Sequence, residues 1–479
     1  MPVFESLYIS LTKNLHFVYL LFAIPLVYFS ITEIPPFQNP DEPNHFARAE
    51  QVSRLVIVPN FIFDKSPVEG IDTALLSPGL LLPSRGGFKV DKGIYDLSEI
   101  YRPMFFHYEE KTNRAKSDSS KSIKWKEGFI YKNFANTAIY PPFVYLMPAL
   151  GITIGKLANL SVLTTFYLSR ALNGLMAITL SFITLLLAKR SKLLLFTVLL
   201  FPMTIAMFSS VSQDAVLISC AFLFIGIIDN VESNPGKIYS KWEQWLLIIL
   251  ITVIGVGKAP YILFCFIFLF LKFDKKTKVI SIVMPFVLLL IWLFASSANF
   301  SIKLTDAELD FNPKLQLAHV ISHPFKFVGL FFNFDIPAIE NFFKMFVGKL
   351  GWLELQFPID YYYAAYIIAF LAFINSVKFN LYDSIKLRMA LFCVGFATIL
   401  AVLTAQYITW TPLDATYLGG MQGRYIIPLF PFLALAASLS IKEDTISKMR
   451  QYILIPILLF PILTALVLAD GIINRYYFR

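Results

Sequence analysis

The chain has 479 residues, 57% of them hydrophobic and only 15% charged, with a mean hydropathy of +0.65. A soluble domain carries about 25% charged residues, so this composition excludes a water-soluble fold and reads as a polytopic membrane protein. The formal charge of +9 comes from lysines and arginines gathered in short loops, as the positive-inside rule requires. No nucleic-acid-reading motif accompanies it.

In chain order, apolar runs near the roughly 20 residues a crossing helix needs fall at 15–32, 163–188, 193–210, 215–230, 244–257, 260–272, 279–296, 359–376, 387–405, 425–441 and 452–470. The expected fold is all-α, a multi-pass bundle of about eleven transmembrane helices. Lys13, "KRSK" (189–192), Lys237 with Lys241, "KFDKKTK" (272–278), Lys378 through Arg388 and Lys442 through Arg450 are expected on the cytoplasmic side. That alternation puts the N-terminus inside and the C-terminus outside. No small-residue cleavage site follows the first run, which therefore reads as a retained span covering residues 1–32.

The remaining segments divide at 33–162, 163–296, 297–358 and 359–479. The first is an extracytoplasmic loop with juxtamembrane helices, including a flexible "KTNRAKSDSSKSIK" stretch at 111–124. Within it, "IYPPFVYLMPALGITIGKLANL" (139–160) is apolar enough to cross, but Pro141, Pro142 and Pro148 and the position of "KRSK" favour a juxtamembrane or re-entrant helix along the outer face. Residues 163–296 are a transmembrane bundle, in which "GVGKAPY" joins two short spans at a break that should line a cavity. Residues 297–358 form a second long outer loop, and 359–479 the C-terminal spans. Cys220, Cys265 and Cys393 lie in apolar runs and read as buried small hydrophobes.

The polar residues of note fall on one side of this topology. "FQNPDEPNHFARAE" (37–50) sets Asp41 and Glu42 between two prolines, with His45 and Arg48 following; "SSVSQDA" brings Asp214. A positioned carboxylate can take a proton from an attacking hydroxyl. Asp41 is the favoured base and Glu42 the alternative, since paired carboxylates repel and one is pushed up. His45 and Asp214 are candidates to support that acid or position an acceptor. Arg48, Arg170, Lys258, Tyr261 and Arg424 are candidates to hold a phosphate-bearing donor, arginine by bidentate bonds and lysine as a point charge. Trp352 and Tyr425 could stack on sugar or isoprene. Each has a plainer reading: helix capping for Glu42 and Asp214, snorkelling for the cations, an interfacial aromatic belt for the rings. His319 and His323 share helical spacing without an HExxH frame. A divalent metal is left open, with Asp41, Glu42 and Asp214 as its ligands.

"NPDEPNHFARA", "YPPFVYL", "SRALNGL", "SQDA", "GKAPY", "GKLGW" and "QGRYIIPLFP", spread from residue 38 to 431, resemble the GT-C superfamily of membrane glycosyltransferases. Within it the chain is similar to a bacterial group with a P-D-E-x-x-H-F-x-R-A first outer loop. The resemblance implies a polyprenyl-phosphate sugar donor, a catalytic acid in the first outer loop and a second in the next, where Asp214 stands. The expected function is sugar transfer to a cell-surface glycan, such as lipopolysaccharide O-antigen, at the outer side of the bacterial inner membrane. A lipid-linked oligosaccharide transporter is the alternative; it would not need Asp41 or Glu42 for chemistry.

Overall fold

The computed structural model describes residues 8, 10–58, 61–62, 85–126, 128–234, 236–297, 313–332, 336–376, 385–413, 415–438 and 448–478. The basic clusters expected at 378–388 and 442–450 lie largely outside these residues. The protein is mostly helical. Among the described residues seven helices are long and apolar enough to cross a bilayer, which makes this a multi-pass membrane protein: α1 (Leu15–Glu33), the helix Val162–Leu187, and those beginning at Asp214, Lys275, Ile359, Ile385 and Tyr452. At 1.5 Å per residue, the 19 residues of α1 reach about 28 Å, close to a hydrocarbon core.

Four runs expected as spans are shorter or broken. Residues 193–210 divide into Lys192–Leu199 and Pro202–Phe208, because Pro202 cannot continue the preceding turn. Residues 244–257 belong to Lys241–Gly257. The returning limb Ala259–Leu269 is a 3₁₀ helix, as is Gly423–Leu429, which runs into Phe430–Ser438. The longer rise of a 3₁₀ helix, about 2.0 Å per residue, lets the eleven residues of Ala259–Leu269 descend about as far as Lys241–Gly257 climbs.

Between α1 and Val162–Leu187 the chain builds a capping layer. Helix α2 (Glu42–Ser53) begins it. A three-stranded antiparallel sheet follows, β1 (Phe61–Ile62), β2 (Arg85–Asp91) and β3 (Phe129–Asn133), with β2 pairing Val90 to Ile130. An all-α expectation misses this sheet, whose strands pair across long stretches with no tight-turn signal between them. The stretch expected to be flexible contains the helix Arg114–Ser122, capped by the Asn113 side chain accepting from Lys116 N. Helix α3 (Leu146–Leu157) completes the layer and packs against α4 (Val162–Leu187), where Gly151 and Gly155 let backbones meet. A Cβ on Gly151 would stand 2.8 Å from Ser169 Cα, and one on Gly155 would collide with the Thr165 side chain. Arg170 of α4 reaches the carbonyls of Ile31 and Ile34 at the end of α1. The part of α4 that α3 covers therefore stands beyond the end of α1, and α3 lies in the capping layer.

Helix α5 (Asp214–Glu232) runs through the centre of the bundle, 94% buried along its apolar window. At one end Asp229 accepts the backbone N–H groups of Lys189, Arg190 and Ser191, while Lys272 pairs with Glu232 and Lys241 with Asp274. Three basic clusters thus gather at the end opposite the capping layer. In the second loop the helix Ile336–Gly348 leads to a short hairpin, β4 (Lys349–Leu350) with β5 (Leu355–Gln356). Buried Arg475, in the last turn of Lys448–Tyr476, donates to the carbonyls of Met104, His107, Tyr108 and Glu110 and pairs with Glu354, tying both long loops together. Cys220 and Cys265 are buried as expected, whereas Cys393, expected to be buried too, is exposed on the helix Ile385–Trp410.

Gly155→Val should lower stability by about 1–3 kcal/mol through overpacking of the α3–α4 contact. Thermal unfolding of the purified protein checks this, and a melting temperature equal to wild type would contradict the packing described.

Candidate functional site

The turn "NPDEP" has a specific build. Asp41 sits at φ 59°, ψ 6°, left-handed backbone that Asp tolerates better than most residues. This reverses the chain straight into α2 at Glu42, with Pro43 in the first turn, where a missing N–H costs nothing. The Asp41 side chain does not cap the helix. It turns instead toward the bundle and keeps 35% exposure.

The two adjacent carboxylates then part company. Glu42 is fully buried and bidentate with Arg170: Nε donates to Oε1 at 2.8 Å and Nη2 to Oε2 at 2.6 Å. Val211 N donates to Oε1 at 3.0 Å, and Asn39 Nδ2 to Oε2 at 3.4 Å. Arg170 gives its remaining donors to the carbonyls of Ile31, Ile34 and Pro35, so all five guanidinium N–H groups are engaged within the protein. Glu42, the alternative base, is thus placed in the first turn of α2 as the buried partner of Arg170, away from solvent. Arg170 is corrected from phosphate ligand to its clamp.

Two further expectations change for the same reason. Arg48 is buried and donates to the carbonyls of Tyr140, Val56 and Ile57 and to Gln51 Oε1. It staples α2 to the chain on either side. Trp352 donates from Nε1 to Phe37 O at 3.2 Å and lies 4.6 and 5.0 Å from the rings of Phe105 and Phe106. It is half-buried against these rings, away from the cluster around Arg424. His319 and His323 stack on each other at 4.6 Å on an exposed helix.

The other candidates converge. Arg424, 5% exposed, stands between two carboxylates: Nη2 is 3.6 Å from Asp41 Oδ2, and Nε is 3.7 Å from Asp214 Oδ2. Both separations exceed a hydrogen bond, and Arg424 Nε and Nη1 are buried without a hydrogen-bond partner. Asp214 lies in the first turn of α5, its carboxylate aimed at Arg424 rather than capping that helix. Lys258 closes the helix Lys241–Gly257 and lays its ammonium 3.4 Å from the centroid of Tyr425. Tyr261 donates from its hydroxyl to Tyr425 O at 2.8 Å. His45 Nδ1 is 2.7 Å from the Tyr145 hydroxyl. Burial lowers the His45 imidazole well below its usual value, and the charges of Arg424 and Lys258 lower it further, so it is neutral at neutral pH. The Asp41 carboxyl is raised, first by burial among its neighbours; Arg424 pulls it down and Asp214 pushes it up.

Packing fixes these groups. Asn173 of α4 donates to the carbonyls of Ser210 and Ser212, which sets the loop before Asp214. Gly423 meets the backbone of Ile336–Gly348 so closely that any Cβ would collide with Phe346 N, and this seats Arg424 against the second loop. Three residues escaped the sequence reading. Asn136 donates to Asp41 Oδ1 at 3.0 Å. Gln213 and Gln422, in the quoted strings "SQDA" and "QGRYIIPLFP", each bury an Oε1 with no partner. Among the described residues no three His, Cys, Asp or Glu side chains gather as a metal-ligand set.

A family model described as "Predicted membrane protein (DUF2142)" matches residues 25–433, and the chain belongs to this family. The match holds every residue of the cluster, from Asp41 to Tyr425. No curated protein and no solved structure matches the chain.

Arg170→Met should cost about 3–5 kcal/mol, because it strands Glu42 as a buried unpaired charge. The double variant Glu42→Met/Arg170→Met should recover much of that loss. Melting temperatures of the three proteins decide it; a single variant as stable as wild type would refute the clamp.

Proposed function

We propose that this DUF2142 protein is a GT-C-type membrane glycosyltransferase, taking a sugar from a polyprenyl-phosphate donor at the outer face of a bacterial inner membrane. One observation carries the reading: Arg424 is buried, its Nε and Nη1 make no hydrogen bond of good geometry within the chain, and its two carboxylates stand at ion-pair rather than hydrogen-bond distance. A buried charged donor left without a hydrogen bond costs about 1–3 kcal/mol or more. An oxyanion at Nε and Nη1 removes that cost. Lys258, with no carboxylate within ion-pair distance among the described residues, adds a second positive charge. A phosphodiester that joins a sugar to a hydrocarbon tail, and the monoester left after transfer, fit cations held beside apolar helices.

The reaction is an in-line displacement. The acceptor hydroxyl gives its proton to Asp41 as its oxygen bonds to the anomeric carbon. The bond from that carbon to the phosphate oxygen breaks, and its electron pair leaves with polyprenyl phosphate, whose charge Arg424 and Lys258 hold. Configuration at the anomeric carbon inverts. Asp41 is the base of this scheme because it alone of the adjacent pair keeps solvent access. Neutral His45, bonded to Tyr145, and Asp214 line the same space. Counting the four shorter segments as crossings gives eleven passes, with the N-terminus and the basic clusters cytoplasmic and the capping layer outside. The long capping layer suits a glycan acceptor such as O-antigen.

Purified protein given labelled polyprenyl-phosphate sugar and lipopolysaccharide acceptors should release polyprenyl phosphate. Asp41→Asn, which tolerates the same left-handed backbone, should lower turnover about 10²- to 10⁴-fold without lowering the melting temperature. Retention of more than half the wild-type rate would remove Asp41 from the role of base. Movement of a lipid-linked saccharide across reconstituted vesicles without any transfer would replace the enzyme reading with a transporter.

The pH profile gives a signed test. The base must be ionised, so turnover rises with pH through the raised Asp41 value. Asp214→Asn removes a group that pushes Asp41 up, and should move the acid limb to lower pH. Arg424→Gln removes the group that pulls it down, and should move whatever activity remains to higher pH. A limb that both substitutions leave in place would belong to another residue.

A further inference from the structure

We infer that Asn136 is the positioning residue of the Asp41 carboxylate, and that a hydrogen-bond chain of fixed polarity running Asn44 to Asn136 to Asp41 sets which oxygen faces the reacting hydroxyl. The inference deepens the glycosyl-transfer reading and rests on it for its catalytic meaning. Asn136 Nδ2 donates to Asp41 Oδ1 at 3.0 Å, and Asn44 Nδ2 donates to Asn136 Oδ1 at 3.1 Å. The direction follows from chemistry. An ionised carboxylate only accepts, so Asn136 must turn its NH₂ toward Asp41. Its carbonyl is then left to Asn44, which can meet it only with an NH₂ of its own.

Asn136 itself sits on the helical turn Ala135–Ala138, 95 residues from Asp41. That turn is tied to α2 a second time, by Thr137 Oγ1 donating to Asn44 O at 2.9 Å. Two contacts to one residue fix both the place and the facing of the turn. With Oδ1 held, Asp41 cannot swing its carboxyl to close on Arg424, and Oδ2 stays 3.6 Å from Nη2. The chain thus keeps Asp41 from collapsing into a tight ion pair, which would consume both the base and the donors meant for phosphate. It also stabilises the ionised form, opposing the effect of burial.

The test reads Asp41 directly, without turnover. The Asp41 carboxyl band in infrared difference spectra, assigned by subtracting Asp41→Asn, is titrated in wild type, Asn136→Leu and Asn44→Ala. A hydrogen bond to a charged group is worth about one to two pH units. Asn136→Leu should therefore raise the Asp41 midpoint by about that much. Asn44→Ala, which frees the Asn136 amide to rotate, should raise it by less. Midpoints equal to wild type in both variants would overturn the inference. Because the band is followed with no donor present, a failure of the glycosyl-transfer reading would show only in the transfer assay. In an active protein the acid limb of turnover should move up with the band, a shift that loss of folding would not produce.

Discussion

The buried pair of Glu42 and Arg170 is the contact on which the arrangement of the site depends. It joins four pieces of chain: the last carbonyls of α1, the first residue of α2, the middle of α4 and, through Val211 N, the loop that leads into α5. Asp41 is the residue before Glu42, and Asp214 stands three residues after Val211. A single ion pair therefore sets the distance between two carboxylates that are far apart in sequence. Such a pair adds little net stability compared with a well-packed apolar replacement, yet breaking one half is costly. Its role here is placement.

Among the described residues, four buried arginines divide the polar interior by a simple criterion. Arg48, Arg170 and Arg475 are buried and satisfied by carbonyls and carboxylates of the chain itself. They hold loops to helices. Arg424 is nearly as buried, but it faces carboxylates at 3.6 and 3.7 Å and leaves two nitrogens unpartnered. The three saturated guanidiniums hold structure, and the unsaturated one is the group to which the proposed reading assigns an oxyanion the chain does not supply. Lys258 belongs with Arg424, because a π face at 3.4 Å shelters its charge without neutralising it.

Much of this was legible in the sequence, and the parts that were not share a cause. Apolar runs and basic clusters are local signals, and they gave the multi-pass architecture and the common end of the bundle for "KRSK", Lys241 and Lys272. The gathering of Asp41, Asp214, Lys258 and Arg424 followed from putting each at the same end of its helix. The difference between Asp41 and Glu42 could not be read, since it depends on Arg170, 128 residues from Glu42. Arg48 and Arg170 looked like ligands because a sequence does not show whether carbonyls will saturate a guanidinium. The sheet pairing β2 with β3 and the bond from Asn136 to Asp41 are long-range in the same sense. The broken crossings could be read only in part: Pro202 signals its kink, whereas nothing local announces an eleven-residue 3₁₀ helix at Ala259–Leu269.

The central claim is that Arg424 and Lys258 are held open for the phosphate of a lipid donor, in reach of Asp41. A cryo-electron microscopy structure with bound polyprenyl phosphate tests it most directly. The account predicts phosphate density bonded to Arg424 Nε and Nη1, with Lys258 drawn from the Tyr425 ring toward it and Asp41 still held by Asn136. Phosphate density elsewhere, with Arg424 unchanged between its two carboxylates, would contradict it.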